Sequence, residues 1–427
     1  MQDPDVLDTW FSSALWPFAT LGWPRQTPEL AAFYPTDLMI TGRDILNLWV
    51  LRMAMTSLEC VGQIPFKRVL VHPTVLTKDG RRMSKSLGTG LNPLELVNLY
   101  GADATRFSLL YQAGAVQDVR FDAEIENNQV KASAIAETGR NFGTKLWNAA
   151  RFVLMNLEGY TPTGLVPQAE EPADRWILSR LAGVTAQVNR CLEEYRFSEA
   201  LRALYDFVWH DYCDWYLELA KLRLYGEGGR KDQVQQILVQ TLEQVLRLLH
   251  PIMPFLTEAL WQALPVLTRG GAPSLMVASW PVETSEQIDR EAESQMQGLQ
   301  QLVTAIRTLR SEMNVPPGKK VRVVLSTQDQ AEVEVLESQR SYIELLTKAS
   351  PLVAGVRLEA PQAAASTVLG QVEVYVVLDT PADTGQERLR LGKELEKFGK
   401  LLHNQTAKLA NQQFVANAPA AVVEKER

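Results

Sequence analysis

Thr77-Lys78-Asp79-Gly80-Arg81-Arg82-Met83-Ser84-Lys85-Ser86-Leu87-Gly88 puts four cations and one acid within eight residues and follows them with small hydroxylated residues and glycine. A loop of this make-up can approach a triphosphate closely. Glycine permits unusual backbone angles, serine offers hydrogen bonds, and lysine and arginine supply charge. Such charges count most where negative charge shifts in a transition state. The residues alone leave a second reading open, a solvated basic turn. The flanking sequence points to an α/β unit. Val69-Leu70-Val71-His72, between Pro65 and Pro73, reads as a buried strand. A helix over 45–58 precedes it. Its apolar residues Ile45, Leu46, Leu48, Trp49, Leu51 and Met53 leave little polar face, so it is expected to be buried. Strand and helix alternating in this way predict α/β architecture.

Further along, the pattern changes three times. Residues 141–157, 175–194, 198–221 and 233–250 repeat apolar positions at helical spacing, and Pro251 and Pro254 separate the last of these from a further helix. A bundle of four or five helices over 126–265 is predicted. A Gly-, Pro- and Ser-rich connector follows, then a helix over 299–312 stopped by Val315-Pro316-Pro317-Gly318. Two alternating strands, Val321-Arg322-Val323-Val324-Leu325 and Val372-Glu373-Val374-Tyr375-Val376-Val377, complete a small α/β module within 266–383. From 384 to 427, Leu391, Leu395, Phe398, Leu402 and Leu409 form a heptad seam, with Gln405 in one core slot. Eight bases against five acids make this last stretch basic on a chain whose 43 cations and 50 acids sum to −7. A basic coiled coil suits a polyanion, and a solvated helical extension stays open. Trp147 and Trp215 read as bundle core.

With 427 residues the chain has room for about three domains. Its net charge excludes a histone-like polycation. Cys60, Cys191 and Cys213 lack the close spacing of a disulfide scaffold or a zinc ribbon and suit a reducing compartment. No run approaches the ~20 apolar residues of a membrane helix, and no basic-then-apolar leader precedes Gln2-Asp3-Pro4-Asp5. A soluble cytoplasmic protein with no membrane partner is expected.

Arg82-Met83-Ser84-Lys85-Ser86 resembles the KMSKS loop of the class I aminoacyl-tRNA synthetases, with Arg in place of the first Lys. Leu87-Gly88, Asn92-Pro93-Leu94-Glu95 and Tyr100-Gly101-Ala102-Asp103-Ala104-Thr105-Arg106-Phe107 resemble the valine, isoleucine and leucine subgroup. Asp5-Val6-Leu7-Asp8-Thr9-Trp10-Phe11-Ser12-Ser13 and Thr41-Gly42-Arg43-Asp44-Ile45 with Trp49 are similar to the valyl enzymes in particular. Arg140-Asn141-Phe142, Lys145-Leu146-Trp147-Asn148-Ala149-Ala150-Arg151-Phe152, Cys213-Asp214-Trp215-Tyr216 and His250-Pro251-Ile252-Met253-Pro254-Phe255 look like the anticodon-binding bundle. Phe414-Val415-Ala416, Ala418-Pro419 and Val422-Val423-Glu424-Lys425-Glu426-Arg427 look like the turn and second helix of a C-terminal coiled coil. The pattern departs from the family at Arg82, at Arg43 (commonly aromatic) and at Pro73 (often Gly).

The resemblance implies four parts: 1–125, the second half of a Rossmann-type catalytic domain; 126–265, the anticodon-binding bundle; 266–383, connector and small α/β module; and 384–427, the start of a tRNA-binding coiled-coil arm. It implies activation of valine by ATP and transfer to tRNA(Val), by a protein monomeric in its full-length form. Lys85 and Arg82 would grip the ATP phosphates and stabilise the pentacoordinate phosphorus, with Ser84 and Ser86 ordering the loop and Mg²⁺ sharing the charge. Gly42 and Asp44 would meet the ribose, and His72 the adenine. Trp10, Ile45 and Trp49 would wall the valine side chain. Arg151 and Phe152, with Arg120 at the junction, would contact tRNA. No metal-ligand cluster is visible. The four histidines, His72, His210, His250 and His403, cannot supply the family's His-x-Gly-His signature. The expectation is therefore an internal piece without the first catalytic half or the editing domain, inactive alone. Two alternatives remain: a non-catalytic tRNA-binding protein derived from a synthetase, and a stretch of an isoleucyl enzyme.

Overall fold

The computed structural model describes residues 4–84, 89–114, 117–126, 129–162, 169–226, 230–282, 288–377 and 381–410. The chain divides into two compact units, one of residues 1–167, 180–214 and 235–287, the other of residues 168–179, 215–234 and 288–427.

The first unit opens with α1 (Thr9–Ala19), α2 (Pro28–Phe33), β1 (Thr36–Gly42), α3 (Leu51–Val61) and β2 (Phe66–His72). Local chemistry sets their ends. The Thr27 hydroxyl accepts from Leu30 N ahead of α2, where Pro28 needs no donor, and Gly62 ends α3 in the left-handed region at φ 77°. The strands β1 and β2 pair in parallel, from Thr36 opposite Phe66 to Gly42 opposite His72. Met39, Met53 and Phe66 form the core beneath them, with Trp49 and Val50 packed against it.

Two expectations fail in this region. Residues 45–58 are not one buried helix. A 3₁₀ turn (Arg43–Ile45) and a π turn (Leu46–Val50) lead into α3, in which only Met53 and Ser57 are buried. Leu48, Leu51, Met55 and Leu58 are exposed. Nor is β2 buried, since Val69 and Val71 face outward. The reason is shared. An apolar sequence asks for cover on every side, but the described neighbours supply one side only: α1 holds α3 through Thr56 Oγ1 donating to Ala14 O (2.8 Å) and the π turn before it through Trp49 Nε1 donating to Ser13 O (3.3 Å).

After β2 come β3 (Val75–Leu76), α4 (Pro93–Tyr100), α5 (Ala102–Gln112), β4 (Val119–Arg120), β5 (Glu124–Glu126), β6 (Gln129–Ala132) and α6 (Ala134–Met155). The short strands β3 and β4 pair in parallel, and β5 and β6 form an antiparallel hairpin. Helices α5 and α6 approach so closely that a Cβ on Gly139 would lie 2.8 Å from Ala104 O. Phe107, Phe142, Tyr205 and Trp209 stack in sequence beside them, with ring centroids 5.2–5.4 Å apart.

The helical stretch continues with α7 (Pro172–Glu193), α8 (Phe197–Asp206), a π-helical segment (Phe207–Tyr216), α9 (Leu217–Tyr225), α10 (Lys231–Leu249) and α11 (Pro254–Gln262). Helical backbone runs without a break from 197 to 225, within the region predicted to be helical. Trp147 corrects the core reading: it is 48% exposed. Helical spacing marks an apolar face without fixing how far it is covered. Trp215 is half-buried, with the Arg307 guanidinium 6.0 Å from its ring.

The second unit centres on α12 (Arg290–Glu312), β7 (Val321–Thr327), α13 (Gln330–Ser338), α14 (Arg340–Thr347), β8 (Ala349–Val356), β9 (Ala364–Leu369) and β10 (Val372–Val377). Its sheet runs β8-β7-β10-β9, with β7 and β8 parallel and the other pairs antiparallel. Both strands read from sequence are present, and two weaker ones flank them. Helix α15 (Pro381–Ala410) follows, with Leu395, Phe398 and Leu402 of its apolar seam exposed. The side chain of Leu409 and the expected second helix after 410 lie outside the described residues. Among the described residues no helix is long and apolar enough to cross a membrane.

Candidate functional site

The parallel register brings Gly42 and His72 side by side at the carboxyl ends of β1 and β2, where open α/β sheets bind ligands. The chain turns sharply after Gly42, so that Asp44 folds back over it. A Cβ on Gly42 would lie 2.8 Å from Asp44 Oδ1 and 3.6 Å from His72 Cε1. Gly42 is therefore required for close approach, not for an unusual φ.

The basic segment reaches this corner from the other side. Thr77 closes its first turn: Thr77 N donates to Arg81 O (2.9 Å), Arg81 N to Thr77 Oγ1 (3.0 Å), and Gly80 sits at φ 82°. Its cations are not equivalent. Lys78 pairs with Asp122 at 2.6 Å, and that hydrogen bond raises its pKa. Arg81 pairs with Asp79, whose carboxyl is held below its usual range first by the Thr77 hydroxyl. Arg82 bridges to Leu76 and extends Nη2 to Asp44 Oδ2, 3.0 Å away. Gly42 and Asp44 of one motif thus meet His72 and Arg82 from two other stretches at one place. His72 is exposed, its Nδ1 3.1 Å from Pro73 O.

Ser84 N donates to Thr89 Oγ1 (3.0 Å) and Thr89 N to Ser84 O (3.1 Å), so the residues bracketing 85–88 are joined. Lys85 and Ser86 themselves lie outside the described residues. Of the three proposed valine-pocket residues, Trp49 packs on the local core, Ile45 is half-buried at the end of its 3₁₀ turn, and Trp10 lies 5.3 Å from the Arg52 guanidinium. Arg120, read as a tRNA contact, stands beside the basic turn: a Cβ on Gly80 would lie 3.2 Å from Arg120 Nε. Arg151 and Phe152 occupy the last turns of α6, Arg151 exposed and Phe152 half-buried.

Sequence reasoning missed Asp118. Its Oδ1 takes Arg43 Nη2 at 3.2 Å and Thr74 N at 3.0 Å, tying the turn after β1 to the segment after β2. Its separation of 44 residues from Thr74 left no local signal. Among the described residues no group of His, Cys, Asp and Glu is arranged to hold a metal ion.

The three cysteines differ in chemistry. Burial pushes the Cys213 thiol up to about 12, so its thiolate is scarce near neutrality. Iodoacetamide at pH 8 should modify half-buried Cys60 and leave Cys213 intact in the folded chain. Equal labelling of the two, read by peptide mass spectrometry, would contradict this.

Three family models match: tRNA synthetases class I (I, L, M and V) over residues 1–122, the anticodon-binding domain of tRNA ligase over 174–325, and the valyl tRNA synthetase tRNA binding arm over 383–427. The chain is 45% identical over 426 residues to the valine–tRNA ligase of Carboxydothermus hydrogenoformans, covering 100% of this chain and 47% of that protein. With the valine–tRNA ligase of Bacillus subtilis it shares 42% identity over 429 residues, again 100% and 47%. The chain spans about half the length of the curated relatives it matches. Among solved structures, Agrobacterium radiobacter K84 LeuRS in a ternary complex has a TM-score of 0.52 at 18% identity, over 89% of this chain and 43% of that one, which shows a shared fold.

Proposed function

We propose that the chain, matched along its whole length by valine–tRNA ligases, belongs to the class I aminoacyl-tRNA synthetases and supplies the second catalytic half and the tRNA-binding parts of a valine–tRNA ligase. In that reaction the valine carboxylate attacks the α-phosphorus of ATP, pyrophosphate leaves, and the valyl group of the adenylate passes to the 3′ end of tRNA(Val). The observation carrying this reading is the meeting of Gly42, Asp44, His72 and Arg82 at the strand ends.

The Arg82–Asp44 pair is exposed on both sides, and such pairs contribute about 0–1 kcal/mol. ATP can therefore exchange it at little cost. The phosphates take Arg82, ribose hydroxyls take Asp44 and Gly42 keeps the backbone open for the sugar. His72 lies by the adenine. Lys85 joins Arg82 on the phosphates, Ser84 and Ser86 order the loop, and Mg²⁺ with ATP shares the charge. Trp10, Ile45 and Trp49 bound the amino-acid side.

The domain assignment follows the same reading: catalytic residues 1–125, anticodon-binding bundle 126–265, connector and α/β module 266–383, and a coiled-coil arm from 384, in a cytoplasmic protein monomeric in its full-length form. Phe152 offers a stacking face and Arg151 a phosphate contact, with Arg120 a further tRNA contact. Phe152→Ala should weaken tRNA(Val) binding by roughly 1–3 kcal/mol, the usual worth of one base stack. Unchanged affinity in a filter-binding titration would remove Phe152 from the interface.

The function itself is tested by replacing the corresponding stretch of the Carboxydothermus hydrogenoformans enzyme with this chain. Valine-dependent pyrophosphate exchange and charging of tRNA(Val), with isoleucine disfavoured, are the expected results. A folded chimaera that binds tRNA(Val) and forms no adenylate would instead support a tRNA-binding protein.

A further inference from the structure

In the second unit, the end of α12, the Pro316-Pro317 turn and the end of α14 enclose a cavity of about 570 Å³. Three cations line it, Arg307, Arg310 and Lys348, together with Ser311 and Asn314, and among the described residues no carboxylate does. Arg310 is only 5% exposed. Its Nη2 donates to the carbonyls of Pro316 (3.0 Å), Pro317 (3.2 Å) and Lys319 (2.8 Å), which accounts for the turn. Its Nη1 is buried without a hydrogen-bond partner among the described residues. Burial lowers the pKa of this guanidinium, so holding it charged is costly.

A plainer role is available. Basic groups at helix C-termini neutralise the last carbonyls, and Arg307 Nε does so at Leu346 O, 3.0 Å away. That role leaves Arg310 Nη1 unused, and an unpaired buried donor on a cation is expensive. Two non-glycine residues in the left-handed region, Asn314 (φ 53°) and Lys348 (φ 57°), also border the cavity, which puts local backbone cost where the cations converge.

We infer that this cavity binds a phosphoryl group, contacted by the exposed Lys348 and Arg307 and giving the buried Arg310 behind them the counter-charge it lacks among the described residues. A backbone phosphate of RNA and a small free phosphate share this chemistry. The inference does not depend on the proposed synthetase function, because its first arm uses no RNA.

The test compares the full chain with Lys348→Asn and Arg307→Gln. Asparagine tolerates the left-handed conformation at 348 while removing the charge, whereas changing Arg310 risks unfolding the turn. In the first arm, inorganic phosphate at constant ionic strength should raise the Tm of the wild type by mass action, and both variants should need at least tenfold more phosphate for the same rise. In the second arm, Lys348→Asn should reduce the slope of log affinity for tRNA(Val) against log salt by about one counterion. A difference in the phosphate arm alone assigns a small phosphate, and a difference in the RNA arm assigns the RNA backbone. Variants indistinguishable from wild type in both arms overturn the inference.

Discussion

Arg82→Ala, made in the Carboxydothermus chimaera, should lower kcat for valine-dependent pyrophosphate exchange about 10²–10³-fold, the usual loss when one preorganised donor to transition-state charge is removed. This corresponds to roughly 3–4 kcal/mol of transition-state stabilisation. Stability should hardly move. Arg82 is exposed, and its only ionic partner among the described residues is the equally exposed Asp44. The pairing of a large kinetic effect with a small change in unfolding is what separates phosphate contact from structural support. Arg82→Lys adds a second readout. The family's loop commonly has Lys at this position, so the charge should rescue much of the rate, while any residue lost reports the donor geometry particular to the guanidinium. Should Arg82→Ala exchange at the wild-type rate, the triphosphate role of the strand-end cluster fails.

Asp174→Ala should destabilise the second unit by about 3–5 kcal/mol, because it strands a buried cation. Asp174 is fully buried and accepts from Tyr216 Oη (2.8 Å), from Arg223 Nη1 (2.6 Å) and from Arg223 Nη2. Burial works against the Arg223 charge, but the hydrogen bonds and charge of Asp174 outweigh it and raise the Arg223 pKa. Without Asp174 that compensation disappears, and Arg223 Nε already has no hydrogen-bond partner among the described residues. The double variant Asp174→Leu/Arg223→Met should recover most of the loss, since apolar replacement of a whole buried pair is often neutral. Urea unfolding of both variants decides the matter. An unperturbed Asp174→Ala midpoint would mean that Arg223 reaches solvent readily. Activity would report nothing here, because the pair lies far from the chemistry in role as well as in sequence.

Much of the architecture was legible because its causes are local. Thr27, Asn92, Ser133 and Asp289 each accept a backbone N–H at the start of a helix, which is a local signal, although none of the four was read as one. The alternation in Val321–Thr327 and Val372–Val377 marks strands for the same reason. The flanking strands β8 and β9 were not read, since Pro351 and Gly355 interrupt one and small residues dilute the other.

Side-chain environment was less legible. Trp147 has the spacing of a core residue and stands half in solvent, and the apolar residues of α3 lack cover on one face. Burial belongs to pairs of surfaces, and one segment encodes only its own side. An exposed face of this kind, beside a two-stranded parallel sheet, is an aggregation liability wherever it stays uncovered.

The chain's own residues carry the basic turn, the helical region after it and the alternation of β7 and β10, because composition and spacing within one segment express them. Gly42, Asp44, His72 and Arg82 were named through resemblance to the class I synthetases, since no local pattern marks them as a group. Only the tertiary structure decided that β1 and β2 share a register that puts Gly42 beside His72, that Asp44 meets Arg82 across 38 residues, and that Arg310 is buried with a donor to spare. Those depend on contacts between segments far apart in the chain, where packing and electrostatics act on distances that no local pattern records.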